Sequence, residues 1–74
     1  MSLIELKLGQ PALITKIDCD KKLLKRLNAL GCLEGTEIKV KRKAPLGDPI
    51  IVNFRGFDLA LRKKDAKNIF IKEA

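Results

Sequence analysis

Apolar positions along this chain switch between a spacing of two and a spacing of three to four, and each switch marks an element. Glu5-Leu6-Lys7-Leu8 alternates and halts at the turn residues Gly9-Gln10-Pro11. Ala12 to Ile17 carries apolar residues on both parities, as a strand partly covered on both faces does, or one whose phase a bulge flips. Asp18 or Asp20 then offers a carboxylate to the free amides that open a helix. Leu23, Leu24, Leu27 and Leu30 form its apolar stripe, Lys21 and Lys25 its wet side, and Gly31 its left-handed stop.

Leu33-Glu34-Gly35-Thr36 reads as a turn with positive φ at Gly35. Glu37 to Lys43 alternates strictly, with Ile38 and Val40 inward and Lys39, Lys41 and Lys43 in a row facing water. A further strand runs from Ile50 to Phe54, and Arg55-Gly56 supplies a tight hairpin link. Phe57, Leu59 and Leu61 alternate with Asp58, Ala60 and Arg62, so both Phe54 and Phe57 fall in phase with the core. Lys63 to Asn68 forms a short helical turn that tucks Ala66 in, and Ile69-Phe70-Ile71 closes the chain as a strand. The pattern therefore predicts a mostly β protein of five to six short strands, with one helix at about residues 20–30. Turn signals at short, even intervals belong to a small barrel or sandwich.

The connection Lys43-Ala44-Pro45-Leu46-Gly47-Asp48-Pro49 stands apart from the other turns. Proline fixes φ near −65° and removes a donor, so Pro45 and Pro49 leave this corner few conformations. Gly47-Asp48 is the expected point of reversal. Leu46 has two readings: it folds back over the barrel end, or it is an apolar anchor offered to a partner. A preordered anchor loses little entropy on docking, where an immobilised side chain otherwise costs about 0.5–1.5 kcal/mol. Pro45, Leu46 and Gly47, ringed by Lys43, Asp48 and Arg55, fit an anchor inside a polar rim.

Composition narrows what such a module does. A chain of 74 residues buries only about 60% of its unfolded surface, enough for one core, so residues 1–74 are read as one domain. No apolar run approaches the roughly 20 residues of a spanning helix. Met1-Ser2-Leu3-Ile4-Glu5 lacks the basic start of a secretory signal, which implies a cytoplasmic chain. Cys19 and Cys32 are then free thiols that behave as small apolar residues. Sixteen Lys and Arg against nine Asp and Glu leave +7, a charge that draws nucleic acid, an anionic membrane face or an acidic protein surface.

Catalysis finds no support. Histidine, tyrosine and tryptophan are absent, the one serine is Ser2, and neither cysteine has a base of the usual kind. No cofactor is expected. Asp18-Cys19-Asp20 is the one tempting cluster for weak binding of a divalent ion, but consecutive residues splay their side chains. The lysine row with Arg42 resembles a phosphate-tracking face, and with three phenylalanines it lacks interleaved stacking platforms.

"RLNALGCLEGTEIKVKRKAPLGDPI", Arg26 to Ile50, resembles the signature of the FeoA family of small ferrous iron transport proteins. The Arg-Leu-x-x-Leu-Gly helix end, Gly-Thr before a strand, and Ala-Pro-Leu-Gly-Asp-Pro between strands stand in the family's order. Leu8-Gly9, Ala12, Ile14, Leu59-Ala60-Leu61-Arg62 and Ala66…Ile69 extend the match over essentially the whole chain. Glu34 departs from the family, which commonly has proline before Gly35; the turn forms without it at some cost in preorganisation.

The resemblance implies an SH3-like barrel with the helix inserted after the first barrel strand. It further implies a non-enzymatic accessory protein that docks on the cytosolic part of FeoB, a membrane permease for Fe(II) with a GTP-binding domain. Peripheral proximity to the inner membrane follows through FeoB, no small-molecule substrate is expected, and self-association stays open. The expected contact residues are Arg26, Lys43, Pro45, Leu46, Gly47, Asp48, Pro49 and Arg55. Arg26 either pairs with Glu34 or Asp48, or it acts, as Arg55 could, in trans on the GTPase. The runner-up is a basic SH3-like module that binds nucleic acid.

Overall fold

A computed structural model describes all 74 residues. Five strands form one antiparallel sheet in the order β4-β3-β2-β1-β5: β1 (Ala12–Ile17), β2 (Glu37–Lys43), β3 (Ile50–Phe54), β4 (Phe57–Leu61) and β5 (Ile69–Glu73). Helix α1 (Lys21–Ala29) follows β1, and the short α2 (Lys63–Ala66) joins β4 to β5. β2 is the pivot: its first residues pair with β1, and from Lys39 onward it pairs with β3. The sheet curls around one core cluster that includes Phe54, Ile38, Val40, Ile50, Val52, Leu27 and Ile69.

The phase ambiguity of β1 resolves as a bulge. Ala12 and Ile14 are buried, the register against β5 shifts between Ile14 and Lys16, and Ile17 is half-buried beyond the shift. A second shift lies between Val40 and Arg42, so the expected single lysine row becomes a continuous basic stretch. Lys39, Lys41, Arg42 and Lys43 are all exposed.

Helix α1 begins where a carboxylate caps it: Asp20 accepts from the Leu23 N–H at 2.8 Å. The neighbouring candidate, Asp18, instead donates its N–H to the Asn68 carbonyl at 2.9 Å. The far end is a Schellman motif. The Cys32 N–H reaches the Leu27 carbonyl at 2.8 Å and the Gly31 N–H reaches that of Asn28 at 3.0 Å, with Gly31 at φ +86°. The apolar contact that accompanies this motif falls to Leu27 and Cys32, both fully buried. Burial pushes the Cys32 thiol up to about 11.

Two expectations fail. Glu5–Leu8 forms no strand: Leu3–Glu5 is a 3₁₀ turn, whose Glu5 side chain accepts from the Ser2 N–H at 2.8 Å. Leu3 and Leu6 drop into the core, while Leu8 makes a lone bridge to Val40 and stays exposed. The hydrophobic positions here thus follow a spacing of three, which four residues read alone cannot separate from alternation. Phe57 is the other miss. It is 44% exposed, because the edge strand β4 begins beyond the core, and it rests on Phe54 with ring centroids 5.7 Å apart.

Candidate functional site

The β2–β3 connection is built as a fixed corner. The Gly47 N–H donates to the Ala44 carbonyl at 2.7 Å, which closes a turn with Pro45 and Leu46 as its central residues. Proline at the second position and glycine at the fourth are what such a turn favours. The reversal is therefore centred on Pro45-Leu46, two residues earlier than Gly47-Asp48. Below it, the Ala44 N–H donates to the Pro49 carbonyl at 3.0 Å, and the Asp48–Pro49 peptide is cis.

This placement excludes one of the two readings of Leu46. The side chain does not fold back over the barrel end; it stands 95% exposed at the tip of the turn. Transfer of a leucine side chain out of water is worth about 1.5–3 kcal/mol when burial is complete, and here none of that is realised within the chain.

Asp48 has a role that sequence spacing did not show. Its Oδ1 accepts from the Lys63 N–H at 2.9 Å. Arg62, the residue that precedes α2, makes no side-chain cap, so Asp48 supplies the cap from another element. The bond ties the corner to α2. Lys43, Gly47 and Lys63 then share one shallow hollow with Ile4, Glu5 and Ile50, and Asp48, Pro49, Arg62 and Lys64 line a second.

The eight expected contact residues do not form one surface. Lys43, Pro45, Leu46, Gly47, Asp48 and Pro49 lie together at one end of β3. Arg55 lies at the other end, across a five-residue strand that spans about 16 Å. It sits in the Arg55-Gly56 turn at φ +53°, with Gly56 at +78°, the pair of positive angles that a type I′ hairpin needs. Its side chain lies over Gly31, where an added Cβ would come within 3.3 Å of Arg55 Cδ. A cation there faces the carbonyl end of α1, which favours positive charge.

Arg26 belongs to a third place, a small hollow between α1 and α2 with Asp20, Leu23 and Asp65. It pairs with neither Glu34 nor Asp48. The one ion pair in the structure is Lys41–Asp58 at 2.8 Å, on the outer face of the sheet. The Asn53 side-chain amide donates to the same carboxylate, and the two bonds, Lys41 first, hold Asp58 below the usual carboxylate range.

The structure gathers no group of three or more cysteine and carboxylate side chains able to hold a metal ion. In Asp18-Cys19-Asp20, Asp20 is committed to the helix cap. Partial burial first, then the charges of Asp20 and Asp65, raises the Cys19 thiol. The basic strand offers a nucleic acid little to stack on, since Phe54 is buried and Phe57 is the one large aromatic that stands exposed. No helix is long and apolar enough to cross a membrane.

Comparison with known proteins agrees with this architecture. The chain is 41% identical to the FeoA protein from Chlorobium tepidum, whose solution NMR structure matches with a TM-score of 0.94 over 99% of this chain and 70% of that one. A zinc-complexed FeoA from Stenotrophomonas maltophilia, described as a procaryotic SH3 domain protein, is 29% identical with a TM-score of 0.81, over 97% of this chain and 89% of that one. The chain is also 32% identical, over 97% of its length, to a Fe(2+) transport protein A/Fe(2+) transporter FeoB fusion protein of Porphyromonas gingivalis. It spans 8% of that fusion protein. A family model described as the FeoA domain matches residues 1–73, and the chain accordingly belongs to the FeoA family, with its SH3-like fold.

Proposed function

We propose that this chain is a non-enzymatic accessory protein of ferrous iron uptake that works in the cytoplasm and docks on the cytosolic part of the FeoB transporter. The reading is carried by one observation: a leucine 95% exposed at the tip of a turn that two prolines hold in place. An isolated exposed leucine on a mobile loop would be unremarkable surface. Held in one geometry, it keeps most of its burial energy for a partner and loses little entropy when it docks. Fusion of a homologous domain to FeoB in one relative supports the choice of partner.

A pull-down of FeoB's soluble part tests the reading. Wild type is expected to retain it, and Leu46→Asp to lose it while remaining folded. Equal recovery by both removes the corner as the contact site.

A further inference from the structure

The corner does not stand alone. Asp48, the carboxylate nearest Leu46 in sequence, is turned toward the Lys63 N–H and serves as the cap of α2. The pairing of Ile50 with both Lys43 and Leu61 brings Arg62, Lys63 and Lys64 to the same end of the sheet as Lys43. The Asp48 bond fastens them to the corner, and all four have exposed side chains. None of the four takes part in an ion pair. Leu46 therefore rises from a collar of cations contributed by two elements far apart in sequence. Two further carboxylates lie near this end: Glu5, whose side chain bonds the Ser2 N–H, and Asp65 of α2, which lines the separate hollow with Arg26 and Asp20.

We infer that the partner surface is an apolar pocket rimmed by carboxylates, with Leu46 filling the pocket and Lys43, Arg62, Lys63 and Lys64 facing the rim. This rests on the docking function proposed above and gives its acceptor a chemistry. Charge complementarity selects that acceptor over a second copy of the chain, because two such collars repel each other. Rim charges of this kind govern association and its salt dependence, while the buried anchor governs lifetime.

The test measures the affinity of purified FeoB soluble part for three forms of the chain at low and at high salt. Arg62→Glu/Lys64→Glu reverses two collar charges, and Lys25→Glu/Lys39→Glu makes the same change in net charge away from the corner. The collar variant is expected to bind at least tenfold more weakly at low salt and within threefold of wild type at high salt, where exposed charges are screened. The control variant is expected to stay within threefold of wild type throughout. Equal weakening by both variants, or by neither, overturns the acidic rim while the Leu46 contact stands. Failure of wild type to bind at all ends the functional reading and this inference together. Vesicles with anionic headgroups provide the last arm: recovery of wild type but not the collar variant on them, with no such difference toward FeoB, assigns the collar to lipid and overturns the proposal.

Discussion

The two ends of β3 solve the same geometric problem in opposite ways. At one end, Arg55 and Gly56 reverse the chain in two residues, and Arg55 folds back across Gly31 to close over the end of α1. At the other, six residues from Ala44 to Pro49 make the reversal, and their apolar side chain points into water. Both ends are conformationally constrained, one by a two-residue turn and the other by two prolines. The first spends its rigidity on packing, whereas the second leaves a side chain unpacked and merely fixes where it stands. Rigidity without burial at a loop tip is the feature that calls for a partner.

Substitutions at the two ends should separate accordingly. Leu46→Asp is expected to abolish retention of FeoB's soluble part and to leave unfolding free energy within about 0.5 kcal/mol of wild type, as an exposed position allows. Gly31→Ala should do the reverse. Its φ of +86° costs a side chain about 1–2 kcal/mol, and the new Cβ displaces Arg55 as well, so urea unfolding shifts while binding persists. Loss of binding in Gly31→Ala at temperatures where it is folded would break the division between the ends.

Asp48→Ala lies between these extremes, because the cap couples the corner to α2. A loss of about 1 kcal/mol is expected, together with faster amide exchange at Lys63 and weaker binding. Unchanged exchange would uncouple the two elements. Glu34→Pro sharpens the comparison from the packed side. Glu34 is the second residue of a turn closed by the Thr36 N–H to the Leu33 carbonyl at 3.0 Å, with Gly35 at φ +89°. Proline suits that position, and a stabilisation of about 0.4–1 kcal/mol should appear in thermal unfolding without effect on binding.

The smallest effects are pH-dependent. Asp58 is held low by Lys41 and Asn53, so its contribution is present at neutral pH and fades as pH falls through its folded pKa. Lys41→Met should flatten that acid limb in a stability-against-pH series. Cys32 works in the other direction: its folded pKa, pushed up to about 11, keeps the thiol neutral. Stability is full below 9 and falls as pH climbs from 9 toward 11, and Cys32→Ser should shallow that alkaline decline.

Most of the fold was legible in the sequence because its signals are local. The leucine stripe, Gly31, the inward alternation of Ile38 and Val40 in β2 and the Arg55-Gly56 link each act within a few residues. What stayed hidden was long-range. That Asp48 caps α2 depends on β3 and β4 returning the chain across the sheet, and nothing near Asp48 in sequence announces it. Grouping Arg55 with the corner failed for a similar reason: the two flank the same strand, and only its direction shows that they face apart. The exposure of Phe57 likewise depends on β4 lying at the sheet edge.

Backbone amide shifts of the labelled chain, recorded as FeoB's soluble part is added, test the central claim most directly. The account predicts that the largest changes gather at Lys43, Leu46, Gly47 and Arg62 to Lys64, with the Arg55 end nearly silent. Changes centred on Leu33 to Lys39 and Asn53 to Gly56, or no changes at saturating partner, would contradict it.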